Sequence, residues 1–95
     1  MNILCRFAFC AVTLIVGPVA MTSSTYAQSR CQVLWEERNQ YYKNAGYCFK
    51  TARAINFFGN ANCIYNNEGS IPFTQSVRNR IQQIRNLEQS IGCTP

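Results

Sequence analysis

An all-α fold, a small three-helix domain with loops stapled by two disulfides, is predicted by three features of the sequence. Apolar residues fall at helical spacing between Cys31 and Ala45. A second stripe, Val77, Ile81, Ile84, Leu87 and Ile91, repeats at intervals of four, three, three and four residues. Both are the signature of amphipathic helices. Four cysteines, Cys31, Cys48, Cys63 and Cys93, lie in a region expected to be exported, where an even number reads as a disulfide framework.

The expectation of export rests on residues 1–27. Arg6 is their only charge, Phe7 to Val16 is nearly all apolar, and Gly17-Pro18 is expected to end any helix there. A small, polar stretch, Met21 to Ala27, follows. This is the order of a secretory signal peptide, with Thr25 and Ala27 at −3 and −1 of a cut after Ala27. A cut after Ala20 is less favourable because Pro18 would stand at −3. A spanning helix needs roughly 20 apolar residues, more than the run from Phe7 supplies. Cys5 and Cys10 lack a lipoprotein context and leave with the peptide. The expected organisation is therefore a signal peptide over 1–27 and one domain over 28–95. No transmembrane segment is expected in the mature protein, and its location is periplasmic or secreted.

The mature chain holds eight Lys/Arg and four Glu, a net charge of +4, with no His and no Asp. A chain this short buries little core and depends on staples. Zinc is disfavoured because no CxxC pair and no His exist, so neither metal nor cofactor is expected. If residues 31–44 form a straight helix, Cys31 and Cys48 stand some 20 Å apart at about 1.5 Å per residue. Disulfide Cα atoms lie within about 7 Å. The preferred pairing is therefore Cys48–Cys63, closing a local loop, with Cys31–Cys93 tying the domain's start to its end.

The first helix has Cys31, Leu34, Trp35, Tyr41, Tyr42 and Ala45 on one side and Glu36, Glu37, Asn39, Gln40 and Lys43 on the other. Gly46 suits a left-handed cap. Thr51 is the expected N-cap of a second helix from about Ala52 to Phe58, offering Ala54, Ile55, Phe57 and Phe58 to the core. Gly59-Asn60 stops it. Residues 60–72, rich in Asn and Gly, read as an ordered loop held by Cys63, with Ile64 and Tyr65 packing inward. Thr74 is the candidate N-cap of the third helix, and Gly92 ends it.

The segment Leu34-Trp35-Glu36-Glu37-Arg38-Asn39-Gln40-Tyr41-Tyr42-Lys43-Asn44-Ala45-Gly46-Tyr47-Cys48-Phe49 resembles the YARHG domain family of bacterial extracellular proteins, whose pattern runs L-W-x-x-R-N-x-I-Y-A-R-H-G-Y-x-F. Arg38, Asn39, Tyr42, Gly46, Tyr47 and Phe49 match; Lys43, Asn44 and Ala45 depart from A-R-H. Phe57-Phe58 resembles the family's second helix end, and Phe73-Thr74 through Ile81, Ile84 and Leu87-Glu88 its last helix, without the acid usual after that helix's start. The resemblance implies a place outside the cytoplasm and action at the cell envelope. It brings no established activity. Any role of the family's His has no counterpart at Ala45.

Two classes of function compete. Acid–base catalysis favours His or two carboxylates with separated pKa values. Here the only candidate pair is Glu88 with Glu36 or Glu37, which would make a wall-polymer hydrolase, or an inhibitor of one. The more ordinary expectation is that Glu88 pairs with an arginine. The alternative class is binding. Arg38, Asn39, Tyr42 and Tyr47 form the candidate ligand ridge, with Arg38 and Asn39 as donors and the tyrosines as stacking platforms. The same residues also read as a helix-terminus lock, in which Arg38 and Asn39 bond to carbonyls of the following loop. Arg78 and Arg85, seven apart, share a helix face. Export argues against nucleic acid and for peptidoglycan or another anionic envelope polymer as partner. The function expected is a non-enzymatic exported module at the bacterial cell envelope, with a structural partner for another exported protein as a further alternative.

Overall fold

The computed structural model describes residues 5–94. The first four residues of the expected signal peptide lie outside this range. The chain divides into two compact units, residues 1–30 and 31–95.

Helix α1 spans Cys5–Ala45. It runs through Gly17-Pro18, where an end was expected. Proline forgoes a single hydrogen bond to the carbonyl four residues earlier, and here the helix resumes beyond that gap. Helix α2 spans Ala52–Phe58, a short 3-10 turn spans Glu68–Ser70, and helix α3 spans Gln75–Ser90. The expected caps are in place: Thr51 Oγ1 accepts from Ala54 N–H and Thr74 Oγ1 from Val77 N–H, each at 3.2 Å. Each satisfies one amide that has no partner within its helix.

Gly46 turns the chain out of α1 with φ +91°, a region in which a Cβ is strained. Its carbonyl accepts from Ile64 N–H at 2.7 Å and Tyr65 N–H at 3.0 Å, and Cys48 N–H donates to Tyr65 O at 2.8 Å. Asn60 completes this seam. Its Oδ1 accepts from Phe49 N–H at 2.7 Å and its Nδ2 donates to Phe49 O at 3.0 Å. The loop thus hydrogen-bonds both sides of residues 46–49. The Cys48–Cys63 disulfide, with Cα atoms 5.1 Å apart, closes it. Cys31–Cys93, at 5.4 Å, joins α1 to the end of α3. Both pairings are those preferred from helix length.

The core cluster is Trp35, Tyr42, Phe49, Ala54, Ile71 and Ile81, with Ile84 of the α3 stripe fully enclosed. A continuous run of rings links the elements: Phe57, Trp35, Phe58, Phe49, Tyr47, Tyr42 and Phe73, with successive centroids 5.2–5.8 Å apart. Most contacts are edge-on or tilted, the arrangement favoured by the ring quadrupole. Three apolar residues expected in the core are outside it. Ile55 and Phe57 are exposed because α2 has only seven residues and its one buried residue is Ala54. Ile64 is 70% exposed because it covers the Gly46 turn instead of entering the core.

Candidate functional site

The site is built on α1 and α3, which the Cys31–Cys93 bridge and two ion pairs hold side by side. Arg38 Nε and Nη2 donate to the two carboxylate oxygens of Glu88 at 2.8 and 3.0 Å. Both side chains are nearly buried, at 12% and 10% exposure. This is the fork-to-fork geometry that suits arginine and not lysine. Two turns along α3, Arg80 Nε and Nη2 donate to Glu37 at 2.6 and 2.8 Å. The bonds from Arg80 hold the Glu37 carboxyl below its ordinary value, more than burial raises it, and the Tyr41 hydroxyl adds to the lowering. Glu36 accepts from Gln32 Nε2 at 2.7 Å.

Of the four residues of the expected ridge, Arg38 and Tyr42 bond to α3. Arg38 is committed to Glu88, not to loop carbonyls as the helix-lock reading expected, because the carboxylate reaches it across the helix interface. Asn39 is buried and donates to Trp35 O one turn back, at 2.9 Å, instead of forward to the loop. Tyr42 is buried, with its hydroxyl accepting from Arg85 Nη2 at 3.1 Å. Tyr47 is half-buried between Tyr42 and Phe49. Burial, together with the nearby charge of Glu68, pushes the Tyr47 phenol up.

Two open clefts flank Arg85. The smaller, about 200 Å³, is lined by Arg38, Arg85, Glu88, Gln89, Cys93 and Thr94. The larger, about 350 Å³, has Tyr42, Phe73 and Ile81 as its apolar wall and Arg78, Gln82, Arg85 and Glu68 as its polar rim, with Gly69 beside them. Of the expected ridge, Arg38 lines the first cleft and Tyr42 the second; Asn39 and Tyr47 line neither. Gln82 and Glu68 were not singled out in the sequence, and Phe73 only as part of the match to the family's last helix. Arg78, Gln82 and Arg85 fall at i, i+4 and i+7, the spacing of one helical face, so part of the rim was legible. The contribution of Phe73 and Glu68 depends on the loop's path.

Among the described residues, no group of three His, Cys, Asp or Glu is placed to hold a metal ion. No helix among them is long and apolar enough to cross a membrane.

Comparison with known proteins agrees with the motif. The family model of the YARHG domain matches residues 15–89. No curated protein and no solved structure matches the chain. The family and the paired cysteines are both consistent with an extracellular location. With nearly four-fifths of its length matched, and the R-N-x-x-Y and G-Y-x-F residues built into the seam and core just described, the chain belongs to the YARHG domain family.

Proposed function

We propose that the protein is a non-enzymatic exported module of the bacterial cell envelope that binds a wall component or another anionic envelope polymer. The observation that carries this reading is the division of the charges. The carboxylates on α1 and α3 that could serve catalysis are engaged: Glu37 by Arg80, Glu88 by Arg38 and Glu36 by Gln32. A hydrolytic carboxyl pair requires one acid held protonated near neutral pH. Glu37 is instead pulled down, and Glu88 sits in a two-pronged arginine contact. Arg78 and Arg85, by contrast, take part in neither ion pair of the described residues. Anions meet guanidinium groups outside both ion pairs there, on a helix that the Cys31–Cys93 bridge and the two ion pairs join to α1.

Export follows from the same reading. The residues to Ala27 act as a signal peptide, and the mature module begins at Gln28, close to the boundary between the compact units at Arg30 and Cys31. Purified sacculi incubated with the oxidised exported protein will retain it at low salt and release it as salt rises. Absence of retention at both low and moderate salt overturns the proposal.

A second reading, a structural partner of another exported protein, is favoured by the exposed apolar side chains Ile55, Phe57 and Ile64. Co-purification from the periplasm of one defined protein, lost on Phe57→Ser, supports that reading against the first.

A further inference from the structure

We propose that the larger cleft binds a carboxylated sugar ring, with Arg85 and Arg78 taking the carboxylate and the Tyr42–Phe73 wall taking the ring. This rests on the reading of the protein as an envelope-binding module and names the ligand class within it.

The cleft has two chemically distinct sides. Its floor and wall are apolar: Ile81 and Tyr42 are buried, and Phe73 is half-buried with its ring 5.2 Å from that of Tyr42 at 88°. Its rim is polar. Arg85 has one hydrogen bond, to the Tyr42 hydroxyl, and a guanidinium carries five N–H donors. The Tyr42 contact positions Arg85 and leaves donors for a ligand. Arg78 is exposed and is in no ion pair among the described residues. The two arginines start about 10 Å apart along α3, and their long side chains can converge on one carboxylate. Gln82, between them on the same face, uses its Nε2 on Asn86, which leaves its Oε1 as an acceptor.

Glu68 decides the ligand class. Glu68 lines the same cleft and its carboxylate takes part in neither ion pair. A compact dianion such as free phosphate would gain from the arginines and be repelled by Glu68. A sugar acid separates the two functions. Its single negative charge meets the arginines, and its hydroxyls donate to Glu68 and Gln82 Oε1. Its C–H face lies on the aromatic wall. A volume of about 350 Å³ is at the small end of the range for ligand sites, which runs from about 300 to 1,000 Å³. It suits one ring of a longer chain.

The test is an NMR titration of the oxidised exported protein with four probes: glucuronic acid, N-acetylmuramic acid, methyl glucoside and inorganic phosphate. The first two present the carboxylate as a uronic or a lactyl acid and separate an acidic polysaccharide from wall glycan stripped of its stem peptides, where the lactyl carboxyl is free, as its source. At least one of them will shift the resonances of Phe73, Gln82 and Arg85, and methyl glucoside and phosphate will not. Arg78→Gln will weaken that binding about ten-fold, the loss expected for one charge-assisted contact. Arg78 has no internal ion pair, so this variant folds as the parent does. Glu68→Gln will admit phosphate. Equal shifts from phosphate and the acids, binding undiminished in Arg78→Gln, or no shift at these residues with either acid overturns the assignment. Sacculus retention that survives Arg78→Gln, with no acid binding in the parent, removes this cleft while leaving envelope binding standing.

Discussion

Arg38 and Glu88, fifty residues apart in the chain, form a two-pronged ion pair inside the interface of α1 and α3. The matched R-N pair of the family motif thus reaches the last helix through Arg38 and its own helix through Asn39, which bonds to Trp35 O. Removing one partner strands a nearly buried charge, which costs about 3–5 kcal/mol. Arg38→Ala is therefore expected to lower stability by about that amount in urea denaturation, while Arg38→Met with Glu88→Leu recovers most of it. If the single and double variants prove equally unstable, the pair is not what holds the interface.

Gly46 carries two separate constraints. Its φ of +91° disfavours any side chain, and a Cβ there would lie 3.0 Å from Ile64 Cγ1. Gly46→Ala is expected to cost about 1–3 kcal/mol. Adding Ile64→Ala relieves the steric part and leaves the backbone part, so the double variant should fall between parent and single variant. A double variant as unstable as Gly46→Ala alone would assign the whole cost to the backbone.

The two disulfides should contribute unequally. In the chain-entropy model, the bridges of sequence separation 15 and 62 are worth roughly 3 and 4 kcal/mol respectively. Thermal melts of Cys48→Ala/Cys63→Ala and Cys31→Ala/Cys93→Ala will show the larger loss for the second pair. The reverse order would mean that the seam between residues 46–49 and 63–65 depends on its bridge more than loop entropy implies.

Acid will weaken the contact between Glu37 and Arg80. Because the folded Glu37 carboxyl titrates below its ordinary value of 4.5, its contribution is present above that pH and is lost as pH falls through the lower folded value. Both side chains are 36% exposed, so the effect is small and screened by salt. Stability profiles between about pH 5 and pH 2 should be flatter for Glu37→Gln than for the parent, and the difference should shrink in salt. Identical profiles would place the ion pair outside the stability balance.

Helix periodicity, the Thr51 and Thr74 caps and the Gly46 turn were legible because each is a local rule acting over a few residues. Helix length excludes Cys31–Cys48 and leaves two pairings, of which the one closing a short local loop at Cys48–Cys63 was preferred and is the one formed. Orientation was harder. Ile55, Phe57 and Ile64 are as apolar as their buried neighbours, and only the short span of α2 and the path of the loop leave them outside. Arg38 and Asn39 were read either as donors of a ligand ridge or as capping contacts to the next loop. The chain instead satisfies them across the helix interface and one turn back, choices that no local pattern encodes.

The sequence by itself determined the three helices of the unit from Cys31, the caps of α2 and α3, the Gly46 turn that ends α1, the presence of staples and a surplus of positive charge, because spacing, capping chemistry and cysteine number act through near neighbours; the run of α1 through Gly17-Pro18 was not among these. Only the tertiary structure decided which arginines are neutralised by a carboxylate and which are not. Arg38 and Arg80 meet carboxylates brought to them by helix packing, while Arg78 and Arg85 flank Gln82 above Ile81. The same residue type has different consequences at these positions because charge is neutralised by distance in space, and packing alone sets that distance.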